Sequence, residues 1–164
     1  MLILFEIDCR RKRVRLASSM DAPKVRSARI EDRMHLSALL EDSGLSAFGL
    51  TDALSDVLVA EQGGKLVGMA GFERYGDRVL VRSVAVRTTH RSGGIGRALI
   101  SELLDRARDQ GASRAYLLTE TAERFFSRLG FEQVPRSSIP AAVLTSPHVV
   151  AACPESCTCM ALTP

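Results

Sequence analysis

Arg91-Ser92-Gly93-Gly94-Ile95-Gly96 places three glycines within four positions, between a β-patterned stretch and a helix-patterned one. The upstream stretch, Val79-Leu80-Val81-Arg82-Ser83-Val84-Ala85-Val86, is rich in β-branched residues and predicts a strand near the centre of a sheet. Downstream, Ala98, Leu99, Leu103, Leu104 and Ala107 recur at helical spacing, and Gly111 marks the stop. A glycine-rich turn between strand and helix lets backbone N–H groups converge on an anion, and the helix start adds about half a positive charge. Missing Cβ atoms at Gly93, Gly94 and Gly96 permit close approach, while Arg91 and Arg97 bring formal charge. Residues 91–97, Ser92 and Ile95 included, are therefore the candidate pyrophosphate loop; the competing reading is an ordinary solvated turn.

Two commoner glycine loops do not fit. A P-loop ends in Gly-Lys-Ser or Gly-Lys-Thr, whereas Arg97-Ala98 follows here. A dinucleotide fingerprint requires a further glycine where Leu99 stands. The remaining pattern is Arg-x-x-Gly-x-Gly.

Upstream of the central strand, Val57–Glu61, Leu66–Tyr75 and Arg78–Val86 are joined by short turns at Gly63-Gly64 and Gly76-Asp77, which predicts an antiparallel meander. Before it, Val25–Ala28 reads as a short strand and Glu31–Asp42 as a helix with Met34, Leu36, Leu39 and Leu40 inward. After the loop helix come a strand at Arg114–Thr119, a helix at Ala122–Leu129 closed by Gly130, and a strand at Phe131–Val134. Residues 135–147 are turn-rich with one helical turn near Ala141, and the tail 149–162 holds a final strand. The switch from hairpins to crossovers gives an α/β fold with a mixed sheet.

At 164 residues, 46% of them apolar, the chain suffices for one domain without metal or disulfide staples. The net charge of +3 is not that of a dedicated nucleic-acid binder. Arg10, Arg11, Lys12, Arg13 and Arg15 crowd near the start, so residues 1–19 read as a basic extension and 20–164 as the folded unit. The apolar stretch 1–7 precedes the basic run and contains Glu6, the reverse of an export signal, and no apolar run is long enough to span a membrane. A cytoplasmic protein with reduced Cys9, Cys153, Cys157 and Cys159 is expected, and the cysteine spacing is not that of a structural zinc site.

The loop pattern after Arg82-Ser83-Val84-Ala85-Val86 resembles motif A of the GNAT N-acetyltransferase superfamily. Ala122-Glu123-Arg124-Phe125-Phe126-Ser127-Arg128-Leu129-Gly130-Phe131 is similar to that family's following helix and Gly-Phe turn. The resemblance runs from about Val25 to the C-terminus. More narrowly, Tyr75-Gly76-Asp77, Leu80–Val86 and the tail Cys153-Pro154-Glu155-Ser156 with Cys159-Met160 resemble the bacterial arsenic-resistance N-acetyltransferase subgroup. It implies a mostly antiparallel sheet splayed between its fourth and fifth strands, and acetyl-CoA as donor. Pantetheine would pair with the backbone of Val84, Ala85 and Val86, with pyrophosphate on residues 91–97. The acceptor would be a small-molecule amine, amino-acid-like or arsenic-containing, with no metal and with paired subunits as in many of the family. In many members a tyrosine near the sulfur acts as acid; here that position is Phe126.

Acetyl transfer needs a neutral amine and then a proton for the departing thiolate. If Gly76-Asp77 is a two-residue turn, Glu73 opposes Leu80, and Arg82 is its diagonal neighbour on the same face. Glu73 then reads as a base acting through water and Arg82 as a holder of an acidic acceptor group; a structural ion pair is the alternative. Ser83 and Thr119 lie near the expected cleft, while His35, His90 and His148 have no partner evident in sequence. Two rival functions remain open: a thiol-based metalloid sensor using Cys153, Cys157 and Cys159, and a protein N-acetyltransferase with an open acidic groove.

Overall fold

The computed structural model describes residues 22–45, 47 and 54–164. The basic extension expected over residues 1–19 lies outside the described residues.

Seven strands form one sheet in the order β1-β2-β3-β4-β5-β7-β6. They are β1 (Lys24–Ser27), β2 (Val57–Gln62), β3 (Lys65–Tyr75), β4 (Arg78–Val86), β5 (Arg114–Thr119), β6 (Glu132–Gln133) and β7 (Thr158–Leu162). The Gly63-Gly64 and Gly76-Asp77 turns make β2–β3–β4 the expected meander, and β4 lies at the sheet's centre. β4 and β5 are the one parallel pair in the sheet; every other neighbour is antiparallel. The expected mixed α/β architecture is what forms.

Strand alternation divides the core. On β2, Leu58 and Ala60 face the long helix α2 (Ile95–Asp109), meeting Leu99 and Leu103, while Val57 and Val59 face α1 (Arg33–Asp42) and its Leu36, Leu39 and Leu40. The helices therefore cover opposite faces of the sheet. Met34, expected inward, is 83% exposed. At 100° per residue it sits about 200° around the helix from Leu36, on the far side from the sheet. The helix expected over 122–129 is shorter: α3 spans Glu123–Ser127, because Leu129 and Gly130 bond three residues back and close the end as a tight turn. Its Phe126 stacks edge-on against Phe131 and enters the α2-side core.

The turn-rich stretch holds α4 (Ala141–Leu144), the expected single turn, and α5 (Pro147–Ala152), which the sequence reading did not separate from the tail. Ser146 caps α5, its hydroxyl accepting a 3.2 Å bond from the His148 N–H, and Pro147 occupies the first helical position. Val143 and Val149 pack against Leu80, Tyr116, Cys159 and Ala161. This fixes α5 beside the C-terminal part of β5.

Candidate active site

The β4–β5 ladder stops early. Only Arg78, Val79 and Leu80 pair with Arg114, Ala115 and Tyr116, although β4 continues to Val86 and β5 to Thr119. Beyond Leu80 the two strands part, and a cleft of about 690 Å³ opens between them. A bulge marks the divergence: Met69 opposes Ala85, yet Gly71 opposes Arg82, so Ser83 and Val84 together face Ala70. Ser83 takes φ +54°, the left-handed region that costs a non-glycine residue strain, and this re-aims the strand edge.

The glycine loop ends this cleft. Val84, Ala85 and Val86 form part of one wall; Arg91, Ser92, Gly94, Ile95, Gly96 and Arg97 form its end, and Phe126 lies opposite. Gly93 is exposed beside the wall. The N-cap of α2 is Gly94 at φ +81°, with no side-chain cap and no acidic residue in the first turn. Its first N–H groups thus lack intrahelical partners and meet no competing carboxylate, the arrangement an anion requires. Gly96 serves a different need: a Cβ there would stand 3.0 Å from the Phe125 ring, so its role is close packing of α3 on α2. Arg91 turns back, its Nε donating a 3.0 Å bond to the Val86 carbonyl, which ties the loop to the end of β4.

A second cavity of about 350 Å³ adjoins the first, sharing Val81, Arg82, Ser83 and Thr119. His148, Val149, Ala152, Cys153 and Cys157 complete it. Behind its wall lies an ionic cluster. Glu73 does oppose Leu80, and Arg82 Nε stands 3.1 Å from Glu73 Oε1. His148 Nδ1 lies 2.5 Å from the same oxygen, while the hydroxyls of Tyr75 and Ser146 each donate a 2.7 Å bond to Oε2. Burial pushes the Glu73 pKa up, but the Tyr75 and Ser146 hydrogen bonds with the His148 and Arg82 charges outweigh it, and the net displacement is downward. Of the pair expected to reach the cleft, Arg82 does; Glu73 does not line either cavity. A carboxylate so enclosed and so acidic is a weak proton acceptor and a strong fastener.

Other candidates separate. Thr119 Oγ1 accepts from the Ala122 N–H and caps the turn into α3. Ser83 Oγ accepts a 3.2 Å bond from Arg82 Nη1. His90 is paired with Thr89 Oγ1 at the loop, and His35 is exposed on α1. Cys153 is pushed up to about 11, chiefly by burial and also by Cys157, which is itself raised. Among the described residues, no group of three or more His, Cys, Asp or Glu is placed to hold a metal ion. His148 has no partner evident in sequence, and Tyr75, Phe125 and Ser146 are given no site role there; Ser146-Pro147 is a helix-start signal that would have located α5 and hence His148.

Residues 53–133 match the family model described as an acetyltransferase (GNAT) domain. The amino-acid acetyltransferase of Mycobacterium tuberculosis is 32% identical over 140 residues, which cover 83% of this chain and 76% of that protein. The chain belongs to the GNAT acetyltransferase family. The amino-acid acetyltransferase of Neisseria meningitidis serogroup B is 27% identical over 125 residues, and this GNAT chain spans only 29% of its length. In fold, the chain is similar to Rv2747 from Mycobacterium tuberculosis, solved in complex with CoA and NLQ, with TM-score 0.75, 26% identity, and coverage of 87% of this chain and 99% of that one. It is also similar to N-acetylglutamate synthase from Neisseria gonorrhoeae, solved with coenzyme A and N-acetyl-glutamate, with TM-score 0.76, 23% identity, and coverage of 87% of this chain and 35% of that one. None of these relatives is described as an arsenic-resistance protein. No helix among the described residues is long and apolar enough to cross a membrane.

Proposed function

We propose that this GNAT protein transfers an acetyl group from acetyl-CoA to the amine of a small amino-acid-like acceptor. The observation that carries the reading is continuity. The parted β4 edge joins an uncapped helix N-terminus at one end of the cleft to a fastened arginine, Arg82, at the other. Acetyl-CoA, when bound, supplies a thioester carbon open to direct attack by an amine, so no covalent enzyme intermediate is required.

The chain's residues divide the work. Residues 91–97 hold the pyrophosphate through backbone N–H groups, and the β4 edge at Val84–Val86, which does not pair with β5, offers backbone to pantetheine apart from the Val86 carbonyl that Arg91 occupies. Arg82, set by Glu73 and Ser83, holds the acceptor's carboxylate so that its amine faces the parted strands. The acceptor's ammonium proton passes to water in the open cleft. Glu73 acts as a positioning residue, because both its oxygens are engaged. The amino-acid acetyltransferase name of the Mycobacterium relative, similar over 83% of this chain, supports the same acceptor class.

An arsenic-containing amino-acid analogue, implied by the finer resemblance, belongs in the acceptor panel. The thiol-sensor reading is disfavoured by the raised thiols of Cys153 and Cys157. An acidic protein-binding groove is disfavoured by Arg82 and His148 in the acceptor cavity. Paired subunits in a cytoplasmic setting remain part of the proposal, and sedimentation would read the pairing.

The test is calorimetric titration with acetyl-CoA and CoA, on wild type and on Gly94→Asp, followed by thiol-release assays with free amino acids. Micromolar binding that the aspartate abolishes, with acceptor-dependent thiol release, is the expected result. No binding by the wild type would sink the reading.

A further inference from the structure

The second cavity has a polar end and a neutral wall, and this asymmetry bears on the acceptor's side chain. At the polar end stand Arg82 and His148, both in contact with Glu73. The single negative charge of Glu73 offsets that of Arg82, so the cluster offers at most one net positive charge, and only when His148 is protonated. That suffices for one carboxylate. Next to His148 on α5 and beyond it, the lining is neutral: Val149, Ala152, Cys153 and Cys157, with Leu118 also on the cavity. The two thiols are held in their neutral form at physiological pH, Cys153 by burial and by Cys157, and Cys157 by burial and by the Glu120 charge. Glu120, the remaining charged group on the cavity, is exposed at its rim and anionic.

We propose that the acceptor is an α-amino acid with a single carboxylate and an uncharged side chain, and that Val149, Ala152, Cys153 and Cys157 form the surface that selects it. The inference rests on the acetyl-transfer reading above and narrows it. A second carboxylate, as in glutamate, would enter a wall whose lining holds no cation; Arg136 acts on both thiols from outside that lining and donates to the Pro154 carbonyl, and Glu120 stands at the rim. Burying an unpaired charge there is strongly unfavourable. A cationic side chain would meet two neutral thiols and aliphatic carbon, with Glu120 reachable only at the solvent edge. A side chain of leucine, methionine or glutamine size replaces water against that wall without such a cost.

The experiment is a competition among the twenty L-amino acids, with acetyl-CoA and the full chain, in which the acetylated products are quantified by mass spectrometry. Neutral side chains are expected to exceed glutamate, aspartate, lysine and arginine by at least about tenfold in kcat/KM, the range a shaped pocket achieves. Ala152→Arg provides the second arm, since Ala152 is exposed at the end of α5 and an arginine there suits the helix C-terminus. It should raise the glutamate-to-leucine ratio by about tenfold. Preference for glutamate, aspartate or a basic amino acid in the wild type overturns the inference while leaving the acetyltransferase reading intact. Acetyl-CoA binding without turnover of any amino acid overturns this inference and the amino-acid acceptor with it.

Discussion

The Ser146 hydroxyl donates a 2.7 Å hydrogen bond to Glu73 Oε2 across 73 positions of chain. Ser146 Oγ also accepts from the His148 N–H and caps α5, so one buried serine ties the start of that helix to the carboxylate paired with Arg82. Ser146→Ala removes the cap and leaves a carboxylate lone pair unfilled. A loss of about 1–3 kcal/mol is expected, from the typical cost of a lost cap and of an unsatisfied buried partner. Thermal melts would check it. The acceptor KM should rise while CoA affinity holds, and Ser146→Thr should restore both; a CoA affinity that falls in step would show a merely global effect.

Glu73→Gln tests fastening against proton transfer. A positioning role predicts a raised acceptor KM with a pH–rate profile of unchanged shape, whereas a base role predicts loss of the acidic limb. Stability carries a separate signature. The folded-state pKa of Glu73 lies below its ordinary value of 4.5, so its ionisation stabilises the fold above that value, and the contribution is lost as pH falls through the folded pKa. Chemical denaturation of wild type from neutral pH downward should therefore weaken more steeply in the acid range than that of the glutamine variant. Parallel curves would contradict the shift.

Gly96→Ala places a methyl 3.0 Å from the Phe125 ring, and a second ring carbon lies at 3.3 Å. Overpacking of this kind costs about 1–3 kcal/mol. Phe125→Leu in the same chain should recover most of that stability, because the ring edge and not the backbone is the obstacle. Failure of the double variant to recover would locate the constraint in the loop backbone.

Phe126→Tyr adds the hydroxyl that many relatives are expected to use, at a position 5% exposed and packed edge-on between Phe125 and Phe131. A coenzyme thiol is acidic enough to leave as thiolate, with a pKa near that of cysteine at about 8.5. Turnover should change far less than the factor of about 10²–10⁴ that a working general acid supplies. A gain of that size in kcat would show that protonation of the thiolate limits this enzyme.

Cys153 should be slow toward iodoacetamide at neutral pH and become reactive only as pH approaches about 11, since the thiolate is the nucleophile. The rate difference between wild type and Cys153→Ser, followed by mass spectrometry, isolates this site. Rapid modification at pH 7 would return the cysteines to consideration as a working centre.

The strands, turns and glycine loop were legible because each is a local signal. The Gly63-Gly64 and Gly76-Asp77 turns fix hairpin register, and register put Glu73 opposite Leu80 and brought Arg82 onto the same face. Met34 was misread because a leucine-rich helix resists assignment of its face when one apolar residue falls outside the stripe. α5 was missed because it is short and its apolar residues, Val149 and exposed Val150, show no stripe; the cap Ser146-Pro147 was its one mark.

The sequence by itself determined the meander, the central strand, the glycine loop between strand and helix, and the shared face of Glu73 and Arg82, since these follow from side-chain period and from turns joining neighbours in the chain. Only the tertiary structure decided what surrounds Glu73. Its hydroxyl and imidazole partners, Ser146 and His148, arrive from a helix far along the chain, placed by packing of Val143 and Val149 against β4, β5 and β7. Long-range contacts of that kind leave no periodic trace in a sequence, and they engage both oxygens of a carboxylate that reads from the hairpin alone as a free base.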